Sequence, residues 1–382
     1  MGFLKRIRAA GEQLRPASVI PFRGTSVWNS ASGTSQAQKQ YALDDAKLAG
    51  LDFVRWSAEL SQIAPNRNTS RTWTYFDHNA SYSKSKGLYV LLGMTEGIVS
   101  GGSPSWDCTN KKSYAGFSAA DRPYWEDLMS DVVERMHTTH GFGWDEFAVT
   151  LLNEPDNDSF GAPSDGQFST MQMDVMDMMA TCLRSRFPNL VIVAPSLSVY
   201  DTTELTWTVL SNTYMVSGDV RPVWKIADYL DFHLYPNLNG AVPPPSRFEV
   251  FSQCRELVDN AYTQLAALTG GTVFAAKPFI VSELGWIYNY GQTTSYWSYG
   301  SDEEYAECLA SALKAAELDP RCHAASIYNW QNDSAGYDAR SSNGAFGLRR
   351  YSTTTGDATL ARVKIAKRAG VTDPGYAGAT KL

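Results

Sequence analysis

EFAVTLLNEPD, residues 146–156, sets an apolar run directly before Asn153, Glu154 and Pro155. From Phe147 to Leu152 only Thr150 is polar, the composition of a strand covered on both faces rather than of one that alternates. Pro155 cannot donate to a β ladder, so the strand ends there and Glu154 stands at its tip. PFIVSELGW, residues 278–286, repeats the arrangement: an apolar run, then Glu283, then Gly285, which lets the chain turn.

Six further runs of this kind complete the set: SVIPF (18–22), LDFVRW (51–56), GLYVLLGM (87–94), NLVIVAPS (189–196), YLDFHLY (229–235) and AASIYNW (324–330). Helical patterns lie between them. Residues 34–49 close at Gly50, 121–138 carry Pro123 in the first turn, and 302–318 open with three acids at Asp302, Glu303 and Glu304. Residues 166–186, 246–268 and 355–369 complete the expected helices. Eight buried strands alternating with helices predict an α/β fold, a (β/α)₈ barrel. It is expected as one domain over residues 18–382, behind a basic extension at 1–17. Strands four and seven of that count end at Glu154 and Glu283. The long loops, 95–120, 196–225 and 284–301, each follow a strand, on the face where barrels build their sites.

Composition narrows the class. Apolar residues make up 43% of the 382, enough for a large core, and charged residues only 19%, too few for a disordered chain. A net charge of −7 lacks the electrostatic footprint of a nucleic-acid binder. No apolar run reaches the length of a membrane span, and the basic N-terminus is not followed by a secretory apolar core. The chain is therefore expected in the cytoplasm or delivered by an unconventional route such as a phage particle. The five cysteines form no CxxC pair and cannot all pair, so free buried thiols are expected. No cofactor or metal is expected, since the strand ends carry one histidine, His233, and no HxH pair. Aromatics reach 12%, with 11 Trp. The loop 284–301 alone holds Trp286, Tyr288, Tyr290, Tyr296, Trp297 and Tyr299 between polar residues, a composition suited to stacking on sugar rings.

Two carboxyl groups at the tips of different barrel strands can cleave a glycosidic bond. One gives a proton to the leaving oxygen while the other, ionised, attacks the anomeric carbon; retention needs them about 5–5.5 Å apart. With NEP after strand four and SE-x-G after strand seven, the chain resembles clan A of the glycoside hydrolases, most closely family 39 through NEPD, HLYP and GAFGL (344–348), with family 5 second. The resemblance implies a retaining hydrolase of β-type linkages in an oligo- or polysaccharide. Glu154 would be acid/base and Glu283 nucleophile. It also implies Arg55 beside the nucleophile, Asn153 on the sugar 2-hydroxyl, His233 and Tyr235 as the strand-six pair with Tyr235 touching Glu283, and Trp330 as a stacking floor. Trp286 and Trp28 are further candidate sugar contacts. Where the family 5 pattern has His after NEP, this chain has Asp156, and where family 39 often has an aromatic before NEP, it has Leu152. The competing readings are a metal-dependent barrel hydrolase and a non-catalytic carbohydrate-binding or particle-associated protein on a hydrolase-like barrel.

Overall fold

Eight parallel strands close into a barrel in sequence order. They are β1 (Arg23–Ser26), β2 (Phe53–Ser57), β3 (Tyr89–Gly93), β4 (Phe147–Thr150), β5 (Val191–Val199), β6 (Tyr229–Leu234), β7 (Phe279–Leu284) and β8 (Cys322–Ile327), which pairs back onto β1. The structure is a computed structural model. It describes residues 19–27, 36–48, 50–58, 60–64, 70–94, 122–151, 153, 166–199, 215–235, 246–285 and 302–328. The extension at 1–17 and the helix expected over 355–369 lie outside the described residues.

The described α-helices longer than one turn are α1 (Gln36–Leu48), α2 (Thr74–Ser85), α3 (Arg122–Glu134), α4 (Gly166–Arg186), α5 (Pro222–Ile226), α6 (Arg247–Ala267) and α7 (Asp302–Leu318), with single turns at Leu60–Ile63 and Thr272–Ala275 and a π-helical turn at Arg135–Thr139. The sequence reading did not single out α2 or α5. Ser246 caps α6: its hydroxyl accepts from the Glu249 amide while the Glu249 carboxylate accepts from the Ser246 amide. Among the described residues no helix is long and apolar enough to cross a membrane.

The first strand departs from expectation. The apolar run SVIPF predicts the strand, yet pairing begins one residue beyond it, at Arg23. Ile20 instead enters the barrel interior among Phe53, Tyr89, Leu91 and Ile280. The strand itself reads RGTS because the interior beside it is already full. A Cβ on Gly24 would lie 2.4 Å from the Phe53 ring, so only glycine fits where that ring crosses the barrel.

Two cores follow from the period of two along each strand. Outward residues such as Val54, Trp56, Val149, Phe232 and Val281 pack under the helices. Inward residues Phe53, Leu91, Ala148, Val193, Ile280 and Ala324 fill the lower barrel. Two residues further along β2, β4, β7 and β8 stand Arg55, Thr150, Ser282 and Ser326, all buried and all polar; on β3 and β5 the same step reaches Gly93 and Pro195.

Cys182, Cys254, Cys308 and Cys322 are free and buried, as expected. Burial pushes the Cys254 thiol up to about 12, which suits a small core residue rather than a nucleophile.

Candidate active site

Strict alternation would turn Glu283 outward, because Ile280 faces in and Val281 out. A bulge prevents this. On β6 Phe232 and His233 are consecutive, but their partners on β7 are Val281 and Glu283. The pairing with β8 shows the same extra residue: Ala325 and Ile327 face Val281 and Leu284. Ser282 is the additional residue, and with it both Ser282 and Glu283 reach the interior side. Bulges beside functional sites re-aim side chains in this way.

Arg55, two residues above Phe53 on β2, meets Glu283 directly. Its Nη1 donates to Glu283 Oε1 at 2.5 Å and its Nη2 to Asn153 Oδ1 at 2.8 Å. The Tyr235 hydroxyl donates to Glu283 Oε2. His233 Nδ1 lies 3.4 Å from that same oxygen. Arg55 is 3% exposed, Tyr235 5%, Glu283 7% and His233 not at all. A carboxylate so enclosed must be paired and hydrogen-bonded to stay charged. Here one oxygen has a guanidinium and the other a phenol, and the donors fix the orientation of the group. Asn153 continues the line of β4 through a lone bridge to Ser196 of β5.

A second polar layer lies beneath. Asp231, fully buried on β6, accepts at both oxygens. Oδ1 takes the Ser282 amide at 3.0 Å. Oδ2 takes the Ser282 hydroxyl at 2.7 Å, the Ser196 hydroxyl at 2.6 Å and the Thr150 hydroxyl at 3.4 Å. Ser282 Oγ also stands 3.0 Å from His233 Nε2. The layer therefore joins strands four to seven and ends on the histidine beside Glu283.

Five residues singled out from sequence thus converge: Arg55, Asn153, His233, Tyr235 and Glu283. Glu154, Trp28, Trp286 and Trp330 lie outside the described residues. Asp231, Ser282, Ser196 and Thr150 were missed. Asp231 carried a signal, since it stands two residues before His233 on the same strand face. Ser282 carried none, because its bulge exists only once β7 is paired. Of the other histidines, His137 stacks on Trp144 at 4.1 Å, His140 bonds Asp77, and His323 lies 3.4 Å from the Tyr229 hydroxyl, all away from Glu283.

No protein-family model and no curated protein matches the sequence. Solved structures do match the fold. A β-glucuronidase from an uncultured Clostridium superposes over 92% of this chain and 50% of its own, with TM-score 0.54 and 12% identity. A family 39 glycoside hydrolase from the gut symbiont Bacteroides cellulosilyticus covers 92% and 64%, with TM-score 0.57 and 14% identity. An exo-β-1,4-mannosidase from an Opitutaceae bacterium covers 92% and 59%, with TM-score 0.61 and 14% identity. The chain thus spans between half and two thirds of the length of these enzymes. At such identities the shared property is the barrel, and the barrel is one that glycosidases use.

Proposed function

We propose that the protein is a retaining glycoside hydrolase acting on β-type linkages of an oligo- or polysaccharide, with Glu283 as nucleophile and Glu154 as acid/base. The observation that carries the reading is Glu283 itself. It is a carboxylate at the C-terminal end of a barrel strand, oriented through one oxygen by Arg55 and through the other by Tyr235. An ionised, immobilised carboxylate is what attack on an anomeric carbon requires. The same guanidinium holds Asn153, the residue next to Glu154 in the chain. That shared arginine supports placing the second acid across the scissile bond.

In the proposed cycle Glu154 protonates the leaving oxygen as Glu283 attacks, and the covalent glycosyl ester forms. Glu154, now a carboxylate, takes a proton from water, and the water hydrolyses the ester. Aromatic candidates Trp28, Trp286 and Trp330 would supply the faces on which sugar rings stack.

The test begins with purified protein and a panel of aryl glycosides and bacterial exopolysaccharides, read by product mass. On the activated substrate that is turned over, azide should rescue both variants with opposite stereochemistry. Glu283→Ala should give a glycosyl azide of inverted configuration, because azide attacks from the vacated face. Glu154→Ala still forms the ester when the leaving group needs no proton, so azide should intercept it with retention. Swapped anomers would reverse the two roles. Sugar binding without turnover across the panel would favour the non-catalytic alternative.

A further inference from the structure

Asp231 has no place in the double displacement, yet it is a buried carboxylate two hydrogen bonds from the nucleophile's neighbour. Its contacts run one way. The Ser282 amide, the Ser282 hydroxyl, the Ser196 hydroxyl and the Thr150 hydroxyl all donate to it. Ser282 has a single hydroxyl proton, and at 2.7 Å from Asp231 Oδ2 that proton is committed. Ser282 Oγ therefore meets His233 Nε2, 3.0 Å away, as an acceptor. The imidazole must place a proton on Nε2, and in the neutral ring Nδ1 then carries a lone pair. Nδ1 is the atom 3.4 Å from Glu283 Oε2.

We propose that Asp231 is a positioning residue that acts through Ser282 to hold neutral His233 as the Nε2–H tautomer, so that His233 gives Glu283 Oε2 no hydrogen bond and Tyr235 does. The consequence for the reaction rests on the hydrolase reading above. A carboxylate nucleophile passes its charge to the sugar as it attacks. A further strong donor on Oε2 would stabilise the ground state more than the transition state and slow the step. The tautomer itself does not depend on that reading.

Asp231→Asn tests the relay because geometry dictates which end of the amide goes where. The Ser282 amide can only donate, so the Asn carbonyl takes the Oδ1 position. The Asn NH₂ then faces the Ser282 and Ser196 hydroxyls and donates to them. The Ser282 proton turns to His233 Nε2, and the ring proton moves to Nδ1, facing Glu283. The shape of the side chain is unchanged while the direction of every bond in the relay reverses.

The measurement is a long-range ¹H–¹⁵N correlation on histidine-labelled full-length protein, at about pH 8, above the ordinary histidine range. Only five histidines contribute, and a His233→Gln variant identifies the ring in question. His233 should show the Nε2–H pattern in the wild type and the Nδ1–H pattern in Asp231→Asn. A wild-type ring that is Nδ1–H, or doubly protonated at that pH, overturns the proposal without any variant. An unchanged tautomer in folded Asp231→Asn overturns it too. Should that variant fail to fold, Ser282→Ala cuts the relay above the carboxylate. There His233 should lose its single-tautomer signature, and a retained pure Nε2–H signal would contradict the role assigned to Ser282. On the substrate found in the screen, Asp231→Asn should lower kcat about tenfold with KM nearly unchanged, the size of one charge-assisted hydrogen bond gained in the ground state. A switched tautomer in a protein that hydrolyses nothing would remove the hydrolase reading and leave the relay standing. A fixed tautomer in an active enzyme would do the reverse.

Discussion

The lower and upper parts of the barrel interior are carried largely by the same strands and are chemically opposite. Below lie Ile20, Phe53, Leu91, Ala148, Val193 and Ile280. Above lie Arg55, Thr150, Asp231, His233, Ser282 and Glu283. In the lower half burial itself is the driving force, about 1.5–3 kcal/mol for each large apolar side chain. In the upper half burial is a cost, and each polar group must find a partner to offset it. The lower half therefore needs only shape, as Gly24 against Phe53 illustrates. The upper half needs direction: donors aimed at Glu283, and a hydroxyl proton aimed at Asp231. Apolar packing fills one layer and hydrogen-bonded polar groups the next, on one continuous backbone.

Three substitutions separate the two, and a fourth tests the surface outside them. The largest effect belongs to Glu283→Gln, which keeps size and an acceptor for Arg55 but cannot attack. Turnover should fall roughly 10⁴-fold or more, and the buried Arg55 guanidinium, left without its counter-charge, should lower stability as well. Turnover within tenfold of the wild type would remove Glu283 from the mechanism. Next is Phe53→Ala, which empties the lower barrel and should cost about 3–5 kcal/mol in denaturant unfolding. The protein that remains folded should keep its specific activity. Arg55→Met comes third. It strands a buried carboxylate and should destabilise by about 3 kcal/mol at neutral pH, while moving the acidic limb of the pH–rate profile upward. An unmoved acidic limb would count against Arg55 as the partner that keeps Glu283 ionised.

The smallest effect lies outside the barrel, on the α2–α3 surface, where Asp77 accepts from Arg135 Nη2 at 2.6 Å and from His140 Nε2 at 2.9 Å. Partial burial pushes the Asp77 carboxyl up, but its bonds to Arg135 and His140 outweigh this and hold it below its ordinary value. A depressed carboxyl stabilises the fold above the unfolded value and stops doing so as pH falls through the folded one. Wild type should thus lose a contribution of about 1 kcal/mol as pH drops below about 4. Asp77→Asn should lack that acid-side slope when unfolding is followed as a function of pH. A parallel slope in both proteins would show that the clip contributes nothing measurable.

Legibility followed the same division. Outward and inward apolar residues together make near-continuous runs, so seven strands were readable where they stand. The first was not, because its interior position belongs to a glycine beneath a neighbour's ring. The end of β7 at Leu284 was readable because Gly285 follows it. Arg55, His233 and Tyr235 were legible by motif and by their positions near the ends of β2 and β6. The relay under them was not. Serines and threonines at strand ends are ordinary in a sequence, and nothing local says that four of their donor groups point at one aspartate.

By itself the sequence determined the alternation of strand and helix, the barrel it implies and the Glu283 carboxyl at a strand tip, because periodicity and chain-terminating residues are local properties. Only the tertiary structure decided that Glu283 faces inward, since that depends on one extra residue in β7 relative to β6 and β8. It alone set the direction of the hydrogen bonds from Asp231 to His233, because a proton's position is chosen by the partners on all sides of it, and those come from four different strands.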